Sequence, residues 1–587
     1  MVVFPKKSMK TLRNRFLWFS LSSLLISNAV FAGENMEKKH LKRSEQPVEI
    51  KIVPWGPSQM QVDAAKVRVE RDAAVQNELR GVKYRLIGFE YIDGEGTDKS
   101  QPTPVPTRFR VTFYDYTNDR AVIAEDSFAG SRAVAVRTEF SDPGVGGDEL
   151  QAAYQLVRAD ADFAGLSKAG KLEYDAAMPP VSNLNGERLV NVTVKNLIDG
   201  TFQIVGAGFK NDRIVRYENN APPTARVAEV SCGIPSAGQG STGQGVAGQY
   251  QMTVFQDRSP LWEMLVIRPS SSSGASGERS GIEIRDVKYK GKSVLKRGHA
   301  PILSVKYVND TCGPFRDWQY SEGFFNAPAA GATYPNGPGG GIALLAEGQI
   351  ATTAVESRSD VGNFQGVAVY QQDVGNGKEI VLVTEMNAGW YRYVMEWRFA
   401  PDGTIRPRYG FGSTTNGCVC NPRNHHVNWR FDFDIVNPSN KIFKIERGRK
   451  FQTPIAVEAA IFRNNQLKRG FLIQNATGDE AYQITPSLND GSVTDSAGVL
   501  TDAFGAGDFW LMRYKGTAAA PEELDDPNTD QRANLAPWIN GESLVNQDVV
   551  VWYSAHQYRV DDASRAEKPE VINGVHVVGP DLRPVRW

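Results

Sequence analysis

The chain has 587 residues, with 66 lysines and arginines against 67 aspartates and glutamates, which is long enough for a large buried core and about three domains. Its formal net charge of −1 gives no electrostatic reason to expect nucleic acid or an anionic membrane surface as a partner, because both are bound through basic surfaces. We therefore expect no nucleic-acid partner.

The first 32 residues have the pattern of a secretory signal peptide. The apolar run FLWFSLSSLLISNAVFA follows basic residues, and Val30 and Ala32 suit a cleavage site before Gly33. An uncleaved anchor helix is the alternative, but Ser and Asn interrupt the run, which is also short for a membrane span. Because no later segment is apolar enough to cross a bilayer, we predict a mature chain without a membrane span, exported to the periplasm or secreted.

Four cysteines, at positions 232, 312, 418 and 420, would then meet an oxidising compartment. Cys418 and Cys420 are too close in sequence to pair comfortably with each other. We predict a disulfide between Cys312 and one of these two. A zinc site is the alternative, since histidines lie nearby, but the chain has no second pair of closely spaced cysteines to complete it.

The N-terminal part of the predicted mature chain contains a leader and two small domains. Residues 33–57 are mostly charged and polar and are expected to form a flexible leader. Helical spacing from 58 to about 80, followed by the alternating segments YRLIGFEYID and RFRVTFYDY, predicts a first α+β domain over 58–140. A second helical stretch, DELQAAYQLVRADADFAGLSKAG, and the segments RLVNVTVKNL, TFQIVGAGF and RIVRYEN predict a second α+β domain over 141–232.

The remainder of the chain is predicted to be mostly β. The Gly/Ser-rich stretch 233–249 favours a linker over a phosphate-binding loop, since no Lys-Ser/Thr follows it. From 250 to 587 many short β segments, such as EIVLVTEM and NWRFDFDIV, are separated by Gly, Pro, Asn and Asp. The predicted fold class is mainly β, with a large antiparallel β-sandwich preceded by the two small α+β domains.

Five segments resemble, in the same order, segments of the copper amine oxidase family: GIEIRDVKYKGKSVLKRGHAPILSVKYVND, GWYRYVMEWRFAPDGTI, HHVNWRFDFDIV, DVVVWYSAHQYRV and GVHVVGPDLRPVRW. The helical LVRADADFAGLSK also resembles that family's second α+β domain. The resemblance covers residues 58–587. It implies a homodimer that oxidises a small primary amine to an aldehyde with molecular oxygen, releasing ammonia and hydrogen peroxide. It also implies copper and topaquinone, a cofactor made from one of the protein's own tyrosines.

The resemblance assigns Tyr391 as the topaquinone precursor and Tyr307 as the tyrosine that hydrogen-bonds the quinone. The family has Asn before the precursor and Asp or Glu after it, where this chain has Trp390 and Arg392. The alternative for Tyr391 is an aromatic residue packed inside the sandwich.

The copper ligands are expected among three histidines. The family's His-x-His pair falls on Arg423 and His425, and its third ligand falls on His556. Strand alternation places His425 on the inward, apolar face and His426 on the polar face. His426 would complete the copper site if the strand contains a bulge, and purely structural histidines are the alternative.

The catalytic base and a structural metal site complete the implied set. Tyr320 takes the place of the family's base aspartate, so Asp317 or Glu322 is the candidate base, with solvated loop acids as the alternative. The family's calcium site falls on the side chains and carbonyls of Asp432, Phe433, Asp434, Asp548 and Val549, whose oxygens suit calcium. Pairing of these acids with Arg430 is the alternative.

The residues therefore support two main hypotheses of different classes. The first is an exported copper and topaquinone amine oxidase. The second is a catalytically inactive relative that acts as a secreted binding or structural module, because the Asn, the first histidine and the base aspartate of the family pattern are absent. A divergent chemistry with other cofactors is a third possibility.

Overall fold

The computed structural model describes residues 48–92, 99–130, 133–141, 143–217, 232–237, 246–274, 279–307, 315–335, 341–375, 377–488, 490–491, 507–514, 535, 538–559, 571–572 and 575–587. The predicted signal peptide, residues 33–47 of the predicted leader, and Cys312 lie outside these ranges. Among the helices that are described, none has both the length and the apolar character needed to cross a bilayer.

Residues 48–55 form a strand, so the prediction of a flexible leader is wrong for this part of 33–57. Strand β1 (Val48–Trp55) pairs antiparallel with β10 (Gln249–Gln256) along its whole length. Its apolar residues alternate with charged ones in VEIKI, and the side chains of Val48, Ile50 and Ile52 pack on the main core. This alternation is a strand pattern that the charged composition of the leader obscured.

The first small sheet has two helices packed on it. Its elements are α1 (Gln59–Glu70), α2 (Ala73–Leu79), β2 (Tyr84–Ile92), β3 (Arg108–Asp115), β4 (Arg120–Ser127) and β5 (Ala135–Glu139). The sequence predicts one helical stretch here, but Asp72 interrupts it. The Asp72 carboxylate accepts a hydrogen bond from the Ala74 N–H at 2.8 Å, and so caps the start of a second helix.

The second small sheet has the strand order β6-β7-β8-β9. Its elements are α3 (Gly147–Ala159), α4 (Ala164–Lys168), β6 (Leu172–Asn183), β7 (Arg188–Asn196), β8 (Phe202–Gly208) and β9 (Arg213–Arg216). A fully buried ion pair joins α3 to β7, with the Arg188 Nε 2.9 Å from the Glu149 Oε1. The exact boundaries of the two small domains stay a prediction.

The first large sheet has the order β1-β10-β11-β12-β13-β20-β27-β26-β23, with β14 paired to β13. The strands not yet given are β11 (Ser259–Ile267), β12 (Glu283–Tyr289), β13 (Lys292–Tyr307), β14 (Phe315–Arg316), β20 (Arg423–Phe433), β23 (Ala459–Ile461), β26 (Phe509–Arg513) and β27 (Val549–Arg559). All of its ladders are antiparallel.

The second large sheet has the order β15-β16-β17-β18-β19-β30-β25-β24-β21-β22, with β29 paired to β19 and to β28. Its strands are β15 (Ile342–Leu344), β16 (Val367–Asp373), β17 (Lys378–Ala388), β18 (Tyr391–Phe399), β19 (Ile405–Ser413), β21 (Asn440–Glu446), β22 (Phe451–Ile455), β24 (Gly470–Asn475), β25 (Ala481–Thr485), β28 (Val571–Ile572), β29 (Val575–Val578) and β30 (Asp581–Arg586). A short helix, α5 (Ala354–Ser357), precedes β16.

Side chains from the two large sheets meet in one core. The Trp397 ring of β18 packs edge-on against the Trp429 ring of β20, with centroids 5.3 Å apart. Buried residues of both sheets belong to the same apolar cluster. The predicted fold class, mainly β with large antiparallel sheets, is confirmed.

The prediction that Cys312 pairs with Cys418 or Cys420 stays open for Cys418, because the structure gives another partner to Cys420. This cysteine is bonded to Cys232, with the Cα atoms 5.3 Å apart, so the pair links the segment before β10 to a 3₁₀ turn at Gly417–Cys420. Cys418 is also disulfide-bonded. The predicted partner, Cys312, lies outside the described residues, and sequence spacing alone did not reveal that position 232 reaches this turn.

Candidate functional site

Tyr391 and Tyr307 meet between the two large sheets. Tyr391 begins β18 and is fully buried, and its hydroxyl hydrogen-bonds the hydroxyl of Tyr307 at the end of β13. The Trp390 indole donates from Nε1 to the Tyr307 hydroxyl at 3.1 Å. Burial raises the pKa of Tyr391 to about 12, so this phenol is protonated at neutral pH. The two tyrosines that the family resemblance assigns to the quinone are therefore in contact.

His425 and Arg423 lie next to these tyrosines on β20. The His425 ring is edge-on to Tyr391, with centroids 4.9 Å apart, and stacks on Phe411 at 4.5 Å. The Arg423 Nε donates to the His425 Nε2 at 3.3 Å, and its guanidinium lies 5.6 Å from the centre of the Tyr391 ring. The Asn421 carbonyl accepts from the Arg423 Nη1 at 3.2 Å. Arg423 is therefore a buried cation in the position of the first expected copper ligand.

His556 lies on the opposite face of the sheet from His425. The β20–β27 ladder pairs His426 with His556 and His425 with Gln557, and neighbouring residues in a strand point to opposite faces. The His426 and His556 Nδ1 atoms are 2.8 Å apart, and the His556 Nε2 is 3.1 Å from the Asp508 Oδ1. The prediction that His425 and His556 both lie beside Tyr391 is wrong, because His556 pairs with His426 and not with His425.

A copper site of the kind that the resemblance implies does not fit these residues. Copper would need imidazoles from one face, where β20 and β27 present Arg423, His425 and Gln557. An arginine keeps its positive charge in proteins, so it opposes a metal ion bound to the neighbouring imidazole. Among the described residues, one group of three or more histidine, cysteine or acidic side chains could hold a metal, and it contains no histidine: Asp432, Asp434 and Asp548.

The two candidate bases differ in their surroundings. Asp317 is buried and accepts a hydrogen bond from the Tyr393 hydroxyl, and the Tyr393 ring stacks on Tyr391 with centroids 5.2 Å apart. Asp317 is thus close to the buried phenol, and its role as a base stays a prediction. The alternative of a solvated loop acid is wrong for both candidates, because Asp317 is 1% exposed and Glu322 is 0% exposed.

Glu322 is tied into a buried ion pair with Arg268. The Arg268 Nε donates to the Glu322 Oε1 at 2.8 Å, and the Ser270 N–H donates to the same oxygen at 3.2 Å. The Arg268 Nη2 donates to the other carboxylate oxygen. Donors from Arg268 and Ser270 thus occupy both carboxylate oxygens of Glu322. The geometry therefore supports a structural role for Glu322 and leaves Asp317 as the better candidate base.

A small cavity lies beside the turn that precedes Tyr391. Its lining includes Tyr154, Asp175, Trp318, Tyr320 and Asn387, with about 30 Å³ of space for water-sized molecules. The Tyr320 hydroxyl donates to the Val145 carbonyl at 2.7 Å, which links this wall to the second small domain. About 30 Å³ is the space of roughly one or two waters, so the cavity as it stands does not admit an aromatic amine.

Arg392, which follows Tyr391, is neutralised by an acid that sequence reasoning missed. The Arg392 Nε and Nη2 donate to the two Asp360 carboxylate oxygens at 2.7 and 2.9 Å, and both side chains are buried. A second acid, Glu385, is fully buried on β17. Burial raises the pKa of Glu385 to about 8. An acid inside the apolar run EIVLVTEM was the available sequence signal for Glu385, whereas nothing local indicated Asp360.

Glu385 is expected to make the stability of the protein fall as the pH rises. Its folded-state pKa of about 8 exceeds the usual value of 4.5, so the folded state retains a proton that the unfolded chain has lost. The contribution of Glu385 to the free energy of unfolding is fully present below pH 4.5 and is lost as the pH rises through 8. From about pH 6 to about pH 8, the free energy of unfolding should fall by about 2 kcal/mol more in the natural chain than in Glu385→Gln.

Urea denaturation of the two proteins at both pH values measures this difference. Glutamine keeps an oxygen that can accept the Ala354 N–H, which donates to the Glu385 Oε2 at 2.6 Å, so the variant removes the titration with little change in packing. If the free energy of unfolding depends on pH equally in the natural chain and in Glu385→Gln, the pKa of Glu385 is the same in the folded and the unfolded chain.

The five residues predicted to bind calcium lie together at one end of the first large sheet. Asp432 and Asp434 project from the end of β20, Asp548 precedes β27, and Phe433 pairs with Val549 in the ladder between them. The Lys99 ammonium group lies among these acids, 2.6 Å from the Asp432 Oδ1. The residues converge as predicted, but a lysine cation lies where the calcium ion was expected.

Comparison with known proteins identifies the fold. No protein-family model matches the sequence, and no curated protein matches it significantly. A copper-containing benzylamine oxidase from Hansenula polymorpha is similar in structure, with a TM-score of 0.59 and 14% identity over 91% of this chain and 97% of that chain. An amine oxidase from Aspergillus nidulans has a TM-score of 0.54 and 14% identity over 91% of this chain and 88% of its own. A lysyl oxidase from Pichia pastoris has a TM-score of 0.53 and 12% identity over 91% and 90%. The chain thus has the fold of the copper amine oxidases.

Proposed function

We propose that this chain is a catalytically inactive relative of the copper amine oxidases, which uses their fold as an exported binding or structural module. The observation that carries the proposal is the Arg423 guanidinium, whose Nε lies 3.3 Å from the His425 Nε2. A permanent cation therefore occupies the place where the family pattern requires a histidine. The resemblance also implies a homodimer, and sedimentation of the purified protein measures the oligomeric state.

The arrangement of the histidines supports the same proposal. Two imidazoles, those of His426 and His556, are directed at each other on the face away from Tyr391. Moving His556 to the other face requires a one-residue shift of β27. Residues on both faces of this strand are buried, so the shift would place each of them on the opposite buried face, where it does not fit. The chain therefore has a structural reason to keep His556 apart from His425.

The second candidate function is oxidative deamination of a primary amine by molecular oxygen. The hydrogen bond between Tyr391 and Tyr307 favours it, since the resemblance assigns these two residues to the quinone. The position of Asp317, whose carboxylate accepts from the Tyr393 hydroxyl beside Tyr391, also favours it. Copper chemistry does not fit the remaining residues, so this candidate ranks below the first.

Copper loading and quinone detection decide between the two candidates. We expect the natural chain, incubated aerobically with copper and then desalted, to retain no stoichiometric copper and to show no reaction with a carbonyl reagent. We also expect the peptide that contains Tyr391 to have its unmodified mass, and a panel of primary amines to release no peroxide. A carbonyl-reactive Tyr391 peptide with about one copper per chain would overturn the proposal.

Arg423→His is the matched variant for this experiment, because it restores the His-x-His spacing with His425. We expect the variant to bind copper more tightly than the natural chain, since a cation is replaced by an imidazole. It should still form no quinone, because His556 stays on the opposite face. Equal copper binding by both proteins would show that Arg423 is not what excludes the metal.

A further inference from the structure

The acidic group formed by Asp432, Asp434 and Asp548 has the geometry of a cation site. One carboxylate oxygen from each residue lies within 4.8 Å of the other two. The side chains of Asp432 and Asp434 are 3% and 4% exposed, and that of Asp548 is 21% exposed. Three carboxylates this close and this buried repel one another, so the fold needs a positive charge between them.

The Lys99 side chain supplies that charge. Its Nζ lies 2.6 Å from the Asp432 Oδ1, 2.7 Å from the Asp548 Oδ2 and 3.4 Å from the Asp434 Oδ1. The ammonium group also lies 3.9 Å from the centre of the Tyr514 ring, a distance at which a cation is attracted by an aromatic face. The lysine side chain is only 11% exposed. Its ammonium group is therefore enclosed by the acids and the ring.

Protein side chains supply positive charge at this site. A second cation, the guanidinium of Arg430, is fully buried and has its Nη1 4.0 Å from the Asp432 Oδ2. Two positive charges, those of Lys99 and Arg430, therefore face the three carboxylates.

The position of Lys99 in the chain makes this contact a link between distant segments. Lys99 belongs to the connection from β2 to β3 and lies 333 residues before Asp432 in sequence. The same connection is held by two further contacts, in which the Thr103 N–H donates to Asp286 at 2.6 Å and the Lys296 Nζ donates to the Gln101 carbonyl at 2.7 Å. These contacts hold the connection from β2 to β3 against β12 and β13, and so place Lys99 among the acids.

We propose that the Lys99 ammonium group replaces a divalent cation in this chain, so that Asp432, Asp434 and Asp548 form a latent calcium site filled by a residue of the protein itself. Carboxylate oxygens are the ligands that calcium takes, and the lysine makes the ion unnecessary. Removal of the lysine charge should convert the group into a real calcium site. This inference does not depend on the proposed function, since it concerns a separate group of residues and a different measurement.

The test compares the natural chain with Lys99→Met, which keeps an unbranched apolar side chain of similar length and removes the ammonium group. Thermal unfolding is measured in a chelator and in increasing calcium. We expect the Tm of the natural chain to be the same in both conditions. We expect Lys99→Met to have a lower Tm in chelator and to regain Tm with calcium along a saturable curve.

Terbium, a luminescent substitute for calcium, provides a second measurement. Because Tyr514 lies beside the ammonium group, excitation of tyrosine should produce terbium emission in Lys99→Met and not in the natural chain. Adding Asp434→Asn to Lys99→Met should abolish both the emission and the calcium-dependent Tm. Lys83→Met removes an exposed lysine that lies 2.6 Å from Asp212, and this control should show no calcium response.

Three results would overturn the proposal. The first is a saturable calcium-dependent rise in the Tm of the natural chain, which would mean that the ion displaces the lysine. The second is a Lys99→Met protein with the Tm of the natural chain in chelator and no response to calcium. The third applies if Lys99→Met is unfolded in chelator, and it is a failure of this variant to refold when calcium is added. Refolding on addition of calcium would instead support the proposal.

Discussion

Replacing Glu322 by alanine is expected to lower the free energy of unfolding by about 3–5 kcal/mol, the usual effect of breaking a buried ion pair. The Glu322 and Arg268 side chains are 0% and 4% exposed. The substitution leaves the Arg268 guanidinium, whose Nε lies 2.8 Å from the Glu322 Oε1, buried without its carboxylate. Urea denaturation of the natural chain and the variant measures the loss. A structural role for Glu322 predicts this result, whereas a role as a catalytic base does not.

Two further variants test the physical reason for this loss. Glu322→Leu combined with Arg268→Met removes both charges, so it should recover much of the stability lost in Glu322→Ala. Asp212→Ala breaks the exposed pair with Lys83, in which the side chains are 50% and 62% exposed, and should change stability by less than about 1 kcal/mol. If Glu322→Ala keeps the stability of the natural chain, Glu322 returns as a candidate base.

Removing the Cys232–Cys420 disulfide is expected to lower the free energy of unfolding by about 2–5 kcal/mol. The two cysteines are separated by 188 residues, so the bond restricts a long loop in the unfolded chain. It also anchors the turn that ends at Cys420, next to the Asn421 carbonyl that accepts from Arg423. The double variant Cys232→Ala/Cys420→Ala, measured by urea denaturation, gives the size of the effect.

A second double variant separates the cross-link from the chemistry of the replacing side chains. Cys232→Ser/Cys420→Ser should lose the same amount as the alanine pair, since both remove one covalent bond. A serine pair that is much less stable than the alanine pair would mean that burial of hydroxyl groups, rather than loss of the bond, dominates. An unchanged stability in both would show that the bond contributes nothing measurable to the folded state.

The strands that were predicted correctly are those whose own residue types indicate that the strand is buried. The segments EIVLVTEM and NWRFDFDIV were predicted as strands because most of their residues are aliphatic or aromatic, and β17 and β20 lie where they were predicted. The face of β20 that carries His425 was also predicted correctly, since its neighbours Val427 and Trp429 are buried in the core. β1 was missed because the charged composition of residues 33–57 obscured the alternation within it.

The candidate site was predicted only in part because it depends on residues far apart in the chain. The contact of Tyr391 with Tyr307 and His425 agrees with the order of segments shared with the oxidase family. The position of His556 does not, since a shift of one residue in the pairing of β20 with β27 transfers a side chain to the other face. No local pattern specifies that pairing.

Local residue patterns were sufficient for the mainly β class, for several of the strands and for the apolar face of β20, because alternation and apolar runs follow directly from contact with a core. The tertiary structure alone decided which charges are neutralised and by which partner. Lys99 reaches Asp432 across 333 residues, and Arg268 reaches Glu322 across 54 residues. These pairings arise because a buried charge must meet an opposite charge wherever the packed sheets bring one within reach.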